Sequence, residues 1–152
     1  MTALASELLY RMTLEVGAPF DIGTTPRGHR LVIPFAGGTF EGPKLRGKVL
    51  GTGGDWLLQR SDGVMELDVR RTLWTDDGHH IYAYYRGIIA GNAEAMARIG
   101  RGEAVSAGEI YFRTTPIFET GSEKYAWLNR IVAVGIGAIT AKGADLTVHQ
   151  VL

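Results

Sequence analysis

A chain of 152 residues without cysteine can bury one hydrophobic core without staples, and it offers no disulfide framework, thiolate nucleophile or cysteine-ligated metal site. Its 16 basic and 16 acidic residues cancel, so no net field draws in nucleic acid or an anionic membrane. The expected partner is a small-molecule ligand, with no nucleic acid and no membrane.

In chain order, the segment MTALASELLYRMTLEVG is interrupted by Glu7, Arg11 and Glu15, so it reads as neither a signal peptide nor a membrane span. A cytoplasmic location is expected. Tyr10, Met12, Leu14 and Val16 alternate and predict a first strand with those side chains on one face. His29 to Phe35 predicts a second, ended by Pro34 and the Ala36-Gly37-Gly38 bend. Thr39 to Leu50 reads as strand interrupted at Gly42-Pro43, and Trp56 to Arg60 as another, closed by Ser61-Asp62-Gly63. Val64 to Thr75 and His79 to Ile89 form the strongest pair. Asn92 is the predicted cap of a helix over Ala93 to Ile99, stopped by Gly100. Glu109 to Phe118 follows as strand, and Ser122 caps a short turn through Tyr125 to Leu128. Arg130 to Ala141 and Ala144 to Leu152 close the chain, joined at Lys142-Gly143.

About nine strands with short links and two short helices predict an all-β chain: a single antiparallel β-barrel spanning residues 1–152. An open β-sandwich is the competing architecture. No repeat or low-complexity segment marks a second domain.

Register decides which side chains stand together in the central hairpin. Asp76-Asp77-Gly78 suits a three-residue loop, which pairs Trp74 with His80, Thr72 with Tyr82, Arg70 with Tyr84 and Asp68 with Arg86. One face then carries Met65, Leu67, Val69, Leu73, Ile81, Ala83 and Tyr85, with Arg71 its one awkward member. The other carries Asp68, Arg70, Tyr82, Tyr84 and Arg86, and Tyr111 with Arg113 repeats that character on a later strand. Rings mixed with guanidinium groups and an acid are what a ligand-binding wall needs. A solvated outer face with cross-strand ion pairs is the plainer account.

The run GTGGDWLLQRSDGVMELDVRRTLWTDDGHHIYAYYRG, followed by IYFRTTPIFET and KYAWLNR, resembles the bacterial domain-of-unknown-function 3237 family, also termed UPF0311. The resemblance covers nearly the whole chain. The matching positions include Gly42, Gly47, Asp55, Trp56, Asp62 and Gly63. Asp68, Arg70, Thr75, Asp77, Gly78, Tyr82 and Gly87 match in the hairpin, and Tyr111, Arg113, Phe118, Glu119, Tyr125, Trp127 and Asn129 beyond it. The resemblance implies a compact antiparallel β-barrel and brings no settled reaction or cofactor.

Without cysteine, chemistry would fall to Asp68 or Asp55 as a general base if burial raises its pKa, with Arg70 or Arg113 holding an oxyanion and Tyr82 or Tyr125 donating a proton. Trp56, Tyr84, Arg86, Tyr111, Tyr125, Trp127 and Asn129 complete the expected binding set, although a plug at one barrel end is the favoured role for Trp127. His79 and His80 are adjacent and point to opposite faces of a strand, and His29 and His149 fall in no metal-ligand spacing, so neither a metal nor a cofactor is expected. GTGGDW has no lysine after its glycines and leads into a strand, so it is a rim turn presenting Asp55 and Trp56, not a phosphate loop. The expected function is a cofactor-independent lyase, isomerase or hydratase acting in the barrel on a small, partly apolar or aromatic oxygenated molecule. The alternatives are a non-catalytic carrier barrel and a wall that serves as a subunit interface in a homo-oligomer.

Overall fold

The computed structural model describes residues 2–152. The strands are β1 (Ser6–Val16), β2 (Phe20–Thr25), β3 (Gly28–Glu41), β4 (Arg46–Val49), β5 (Gly54–Gln59), β6 (Met65–Thr75), β7 (His80–Gly91), β8 (Ile110–Thr114), β9 (Ile117–Glu119), β10 (Ala133–Ile139) and β11 (Gly143–Val151). One helix, α1 (Ala93–Gly100), follows β7, and a 3-10 turn (Ala126–Arg130) precedes β10. Eight strands close into an antiparallel barrel in the order β6-β5-β3-β1-β11-β10-β8-β7, with β7 pairing back to β6. The closure excludes the open sandwich. Three strands lie outside the ring: β2 on β3, β4 between one end of β3 and β6, and β9 on β7.

Where the strand boundaries differ from the sequence pattern, the backbone supplies the reason. Pro34 and the following bend do not end a strand, because β3 runs on to Glu41 and changes neighbours there. Its first half pairs with β2 and β5 and its second with β1 and β4. The β1–β3 register slips at Ala36, between Glu15–Gly37 and Val16–Phe35, which is a bulge. Gly38 makes the bend tolerable: its φ is +145°, and a Cβ there would stand 2.2 Å from the Thr13 carbonyl oxygen. Pro116 splits the run expected over Glu109 to Phe118 into β8 and β9, since it has no N–H for a ladder. Strand β2 was not expected: its Phe20 and Ile22 are exposed, so it has no buried face to leave an alternation.

The core is the barrel interior. Tyr10, Met12 and Leu14 of β1 face inward, as their alternation predicts, with Leu73, Ile81, Ala83, Leu146 and Val148. Asn92 Oδ1 accepts the Ala95 backbone N–H at 2.8 Å, capping α1 as expected. The helix packs Met96 and Ile99 against the core. Among the described residues no helix is long and apolar enough to cross a membrane.

Candidate functional site: the barrel lumen

The central hairpin has the register its turn predicts. Thr75 N–H donates to the His79 carbonyl at 2.9 Å, and Trp74–His80, Thr72–Tyr82, Arg70–Tyr84 and Asp68–Arg86 are cross-strand pairs. Strand alternation then sends Met65, Leu67, Val69, Ile81, Ala83 and Tyr85 to the interior, and Arg71 goes with them at 2% exposure. The wall expected to line a cavity therefore lies on the outer surface of the barrel. The physical reason is that the continuous apolar row takes the interior, and a period of two leaves the polar row no other side.

On that outer face the expected residues do gather. Asp68 Oδ1 accepts from Arg70 Nη1 at 3.2 Å, and Arg86 lies 3.9 Å from its other carboxylate oxygen. The Arg70 guanidinium lies 5.8 Å from the Trp56 ring centre, Tyr82 stacks on Tyr84 at 5.4 Å, and Arg113 covers Tyr111 at 4.7 Å. Tyr111 is 56% exposed.

Tyr125, Trp127 and Asn129 belong to the opposite end of the barrel, beside the β6–β7 turn. Tyr125 is buried and its hydroxyl donates to Asp77 Oδ1 at 2.9 Å. The Lys124 ammonium above all, then Thr75 and the Tyr125 hydroxyl, hold the Asp77 carboxyl well below the usual carboxylate range. Asn129 accepts the Thr120 N–H at 2.8 Å and returns a bond to the Thr120 carbonyl at 2.9 Å, so both ends of its amide are occupied by backbone. Trp127 is half-buried under Lys44.

The interior holds a cavity of about 340 Å³, within the lower part of the usual range for small-molecule sites, roughly 300–1,000 Å³. Leu31, Phe35, Leu57, Met65, Ile89 and Phe112 form much of its wall. Its mouth is framed by Gly17 and Pro19 after β1, Ile99, Gly100 and Gly102 around the end of α1, and Thr140 and Ala141 in the β10–β11 turn. A larger depression of about 750 Å³ runs over the outside of β1, β3, β4 and β11, edged by the exposed side chains of Arg11, Thr39, Lys48 and Asp145. It is a solvent groove with no buried polar group.

Two ionisable side chains line the lumen away from its mouth, Asp55 and Tyr85. Asp55 pairs with Val69 on β6 and Val69 with Tyr85 on β7, so the three form one inward row. The GTGGDW turn sets Asp55 there. Gly53 has φ +80°, and a Cβ on it would come within 2.1 Å of the Arg70 carbonyl oxygen, so only glycine lets β5 join β6 at this point.

Beyond that junction the β5–β6 ladder lapses. Pairing is present at Gly54–Arg70 and Asp55–Val69 and resumes in the same register at Leu58–Glu66. In the gap, the Asp68 N–H donates to Asp55 Oδ1 at 3.0 Å, and the Trp56 carbonyl accepts from Arg30 at 2.8 Å. Asp55 is 6% exposed. Burial raises its pKa from 3.8 to about 7, and the Asp68 N–H opposes that rise only in part.

Arg71 lies one residue pair deeper than Val69. Its Nη2 donates to the Tyr10 hydroxyl at 3.1 Å, and its guanidinium stands 5.0 Å from the Tyr85 ring centre. Nε and Nη1 have no acceptor in the protein. Burial pushes the Tyr85 phenol up to about 12, with Arg71 working against the rise and Asp55 adding to it. Sequence reasoning assigned neither Tyr85 nor Arg71 to a site. The signal for Arg71 was present as the single charge in an otherwise apolar strand face. Among the described residues, no group of three or more His, Cys, Asp or Glu side chains is placed to hold a metal ion.

A family model described as a protein of unknown function (DUF3237) matches residues 4–151. A UPF0311 protein of Rhodopseudomonas palustris is 36% identical over 149 residues, covering 98% of this chain and 97% of the relative. A UPF0311 protein of Clostridium acetobutylicum is 38% identical over 123 residues, 80% of this chain and 78% of that one. Among solved structures, a conserved R. palustris protein of unknown function superposes with a TM-score of 0.96 over all of both chains. A β-barrel-like protein from Acinetobacter baumannii gives 0.87 at 36% identity, covering 100% of this chain and 98% of that one. An enzyme from Penicillium herquei shares the fold at 22% identity, with a TM-score of 0.76 over 100% and 97% of the two chains.

Proposed function

The chain belongs to the DUF3237 family, and we propose that it is a cofactor-independent enzyme of lyase, isomerase or hydratase type, acting in its lumen on a small, largely apolar or aromatic, oxygenated molecule. The observation that carries this reading is Asp55: a carboxyl group in a mostly apolar cavity, raised to about 7 by burial. A group half-ionised near neutrality can both take and return a proton, which is what proton transfer beside a carbonyl or addition of water across a double bond requires. Tyr85, on the same row, keeps its phenolic proton and can donate a hydrogen bond to a substrate oxygen. That the barrel fold is shared with an enzyme, at 22% identity, is compatible with this reading and carries none of it.

Asp68, Arg70 and Tyr82 lie outside the lumen, and their side chains do not line it. Asp68 contributes its backbone N–H to Asp55, and its negative charge adds to the rise of the Asp55 pKa. The outer rings of Trp56, Tyr84 and Tyr111 suit contact with a second copy of the chain.

A carrier barrel without catalysis is the second reading, and the apolar wall of the lumen favours it. Replacing Asp55 by Asn separates the two. An enzyme keeps its ligand, read as a rise in melting temperature with bound molecule, and loses turnover by about a hundredfold or more. Turnover unchanged in D55N would remove Asp55 as the acid–base group.

A further inference from the structure

Arg71 is a buried charge near the lumen floor and has no ion-pair partner among the described residues. Among the described residues its guanidinium takes part in no ion pair, and Nε and Nη1 are unpartnered at 2% exposure. The single side-chain hydrogen bond it makes, to Tyr10, is to a neutral acceptor. A cation out of water without a counter-charge is strongly disfavoured, and strand β6 nevertheless places one directly behind Tyr85, a residue of the cavity wall. A hydrophobic residue of similar length would complete the apolar face that Met65, Leu67, Val69 and Leu73 begin.

Resting on the lumen reading above, we infer that the molecule taken by the lumen carries an anionic oxygen, a carboxylate or an enolate or phenolate, and binds with that oxygen toward the Arg71–Tyr85 end. The rest of the molecule is apolar and faces Leu57, Met65, Ile89 and Phe112. Arg71 acts on this oxygen through space and through the Tyr85 hydroxyl, because the ring of Tyr85 stands between the guanidinium and the cavity. It is thus a specificity-determining residue that acts from beneath the wall. At short range inside a protein, a single charge still discriminates between an anion and its neutral isostere.

Naphthoate and its neutral isostere naphthamide test this by calorimetric titration of the full chain at about pH 6, where Asp55 is largely protonated. The expected result is naphthoate binding about tenfold more tightly than naphthamide. The preference disappears in Arg71→Met and survives in Arg71→Lys. Ala144→Leu, which fills the lumen, weakens binding of both probes. Equal affinity of the wild-type protein for the two probes overturns the inference while leaving the lumen reading intact, as does a preference that persists in Arg71→Met. Failure of both probes to bind overturns the lumen reading and the inference together. Should Arg71→Met not fold, the wild-type comparison and Arg71→Lys still decide the matter.

Discussion

The carboxylate of Asp55 accepts the backbone N–H of Asp68 at 3.0 Å, and the two acids face opposite sides of the same barrel wall. Asp55 is buried in the lumen. Asp68 stands outside, between Arg70 and Arg86. One hydrogen bond thus joins an interior acid of raised pKa to the backbone of an exterior one, where the β5–β6 ladder has opened.

Asp55 should make the fold less stable as pH rises. Its value of about 7 in the folded chain lies above its ordinary 3.8, so the folded state holds the proton more tightly than the unfolded state. The favourable contribution is complete below about pH 4 and is lost as pH rises through 7. The gap corresponds to at most about 4 kcal/mol. In Asp55→Asn the amide oxygen still accepts the Asp68 N–H, and this loss is absent. Denaturation followed from about pH 4 to 8 should show wild type falling relative to the variant over that window. Parallel curves would mean that Asp55 is not held in a desolvated site.

Asp68→Asn should leave ligand binding unchanged and turnover within a few-fold of wild type, its one effect on the lumen being loss of the negative charge that adds to the rise of the Asp55 pKa. The backbone N–H on which Asp55 depends is retained, and the ion pairs lost with Arg70 and Arg86 are at the surface, worth about 0–1 kcal/mol. A large fall in turnover with binding intact would move the chemistry to the outer wall.

How far the site could be read from sequence depends on what alternation encodes. The period-two pattern of Val64 to Ile89 contains the register, and the register is right to the residue from Asp68–Arg86 to Trp74–His80. Alternation says which residues share a face. It does not say whether the polar face or the apolar one encloses a cavity. Asp68, Arg70 and Tyr82 have the chemistry of a site and stand on the outside; Tyr85 and Arg71 lie within a row whose Leu and Val neighbours read as packing. Asp55 was legible because the glycines before it mark a forced turn. Its burial was not, because that depends on Ile33 and Val69, brought beside it from separate strands.

Filling the lumen should weaken binding without harming the fold. Ala144 lines the cavity beside Leu14 and Ile139, so leucine there grows into empty space instead of into packed atoms. Stability should change by no more than about 1 kcal/mol, while affinity for any lumen ligand falls roughly tenfold or more. Retained affinity in Ala144→Leu, measured by the same titration, would place the ligand elsewhere.

Asn129→Ala should cost stability and spare the site. Asn129 ties the 3-10 turn to Thr120 through two hydrogen bonds to its backbone, at the barrel end opposite the cavity mouth. Their loss is worth about 1–3 kcal/mol. Turnover per folded molecule should match wild type, and a specific loss of turnover in the stable fraction would give Asn129 a role in the reaction.

Gly53→Ala tests whether the turn places Asp55. Glycine is required there twice over, by a φ of +80° and by the Arg70 carbonyl oxygen 2.1 Å from where a Cβ would stand. Strain of this kind costs about 1–3 kcal/mol, and relief demands that β5 separate from β6 near Gly54–Arg70, next to the opened part of the ladder. Water then reaches the Asp55 carboxyl, and the desolvation that raises its pKa weakens. The variant should therefore be less stable below about pH 4 and show a shallower decline than wild type as pH rises toward 8. A general stability loss with the pH response unchanged would make Gly53 a matter of strand closure alone. Both effects together would tie the glycine turn to the ionisation of the acid it presents.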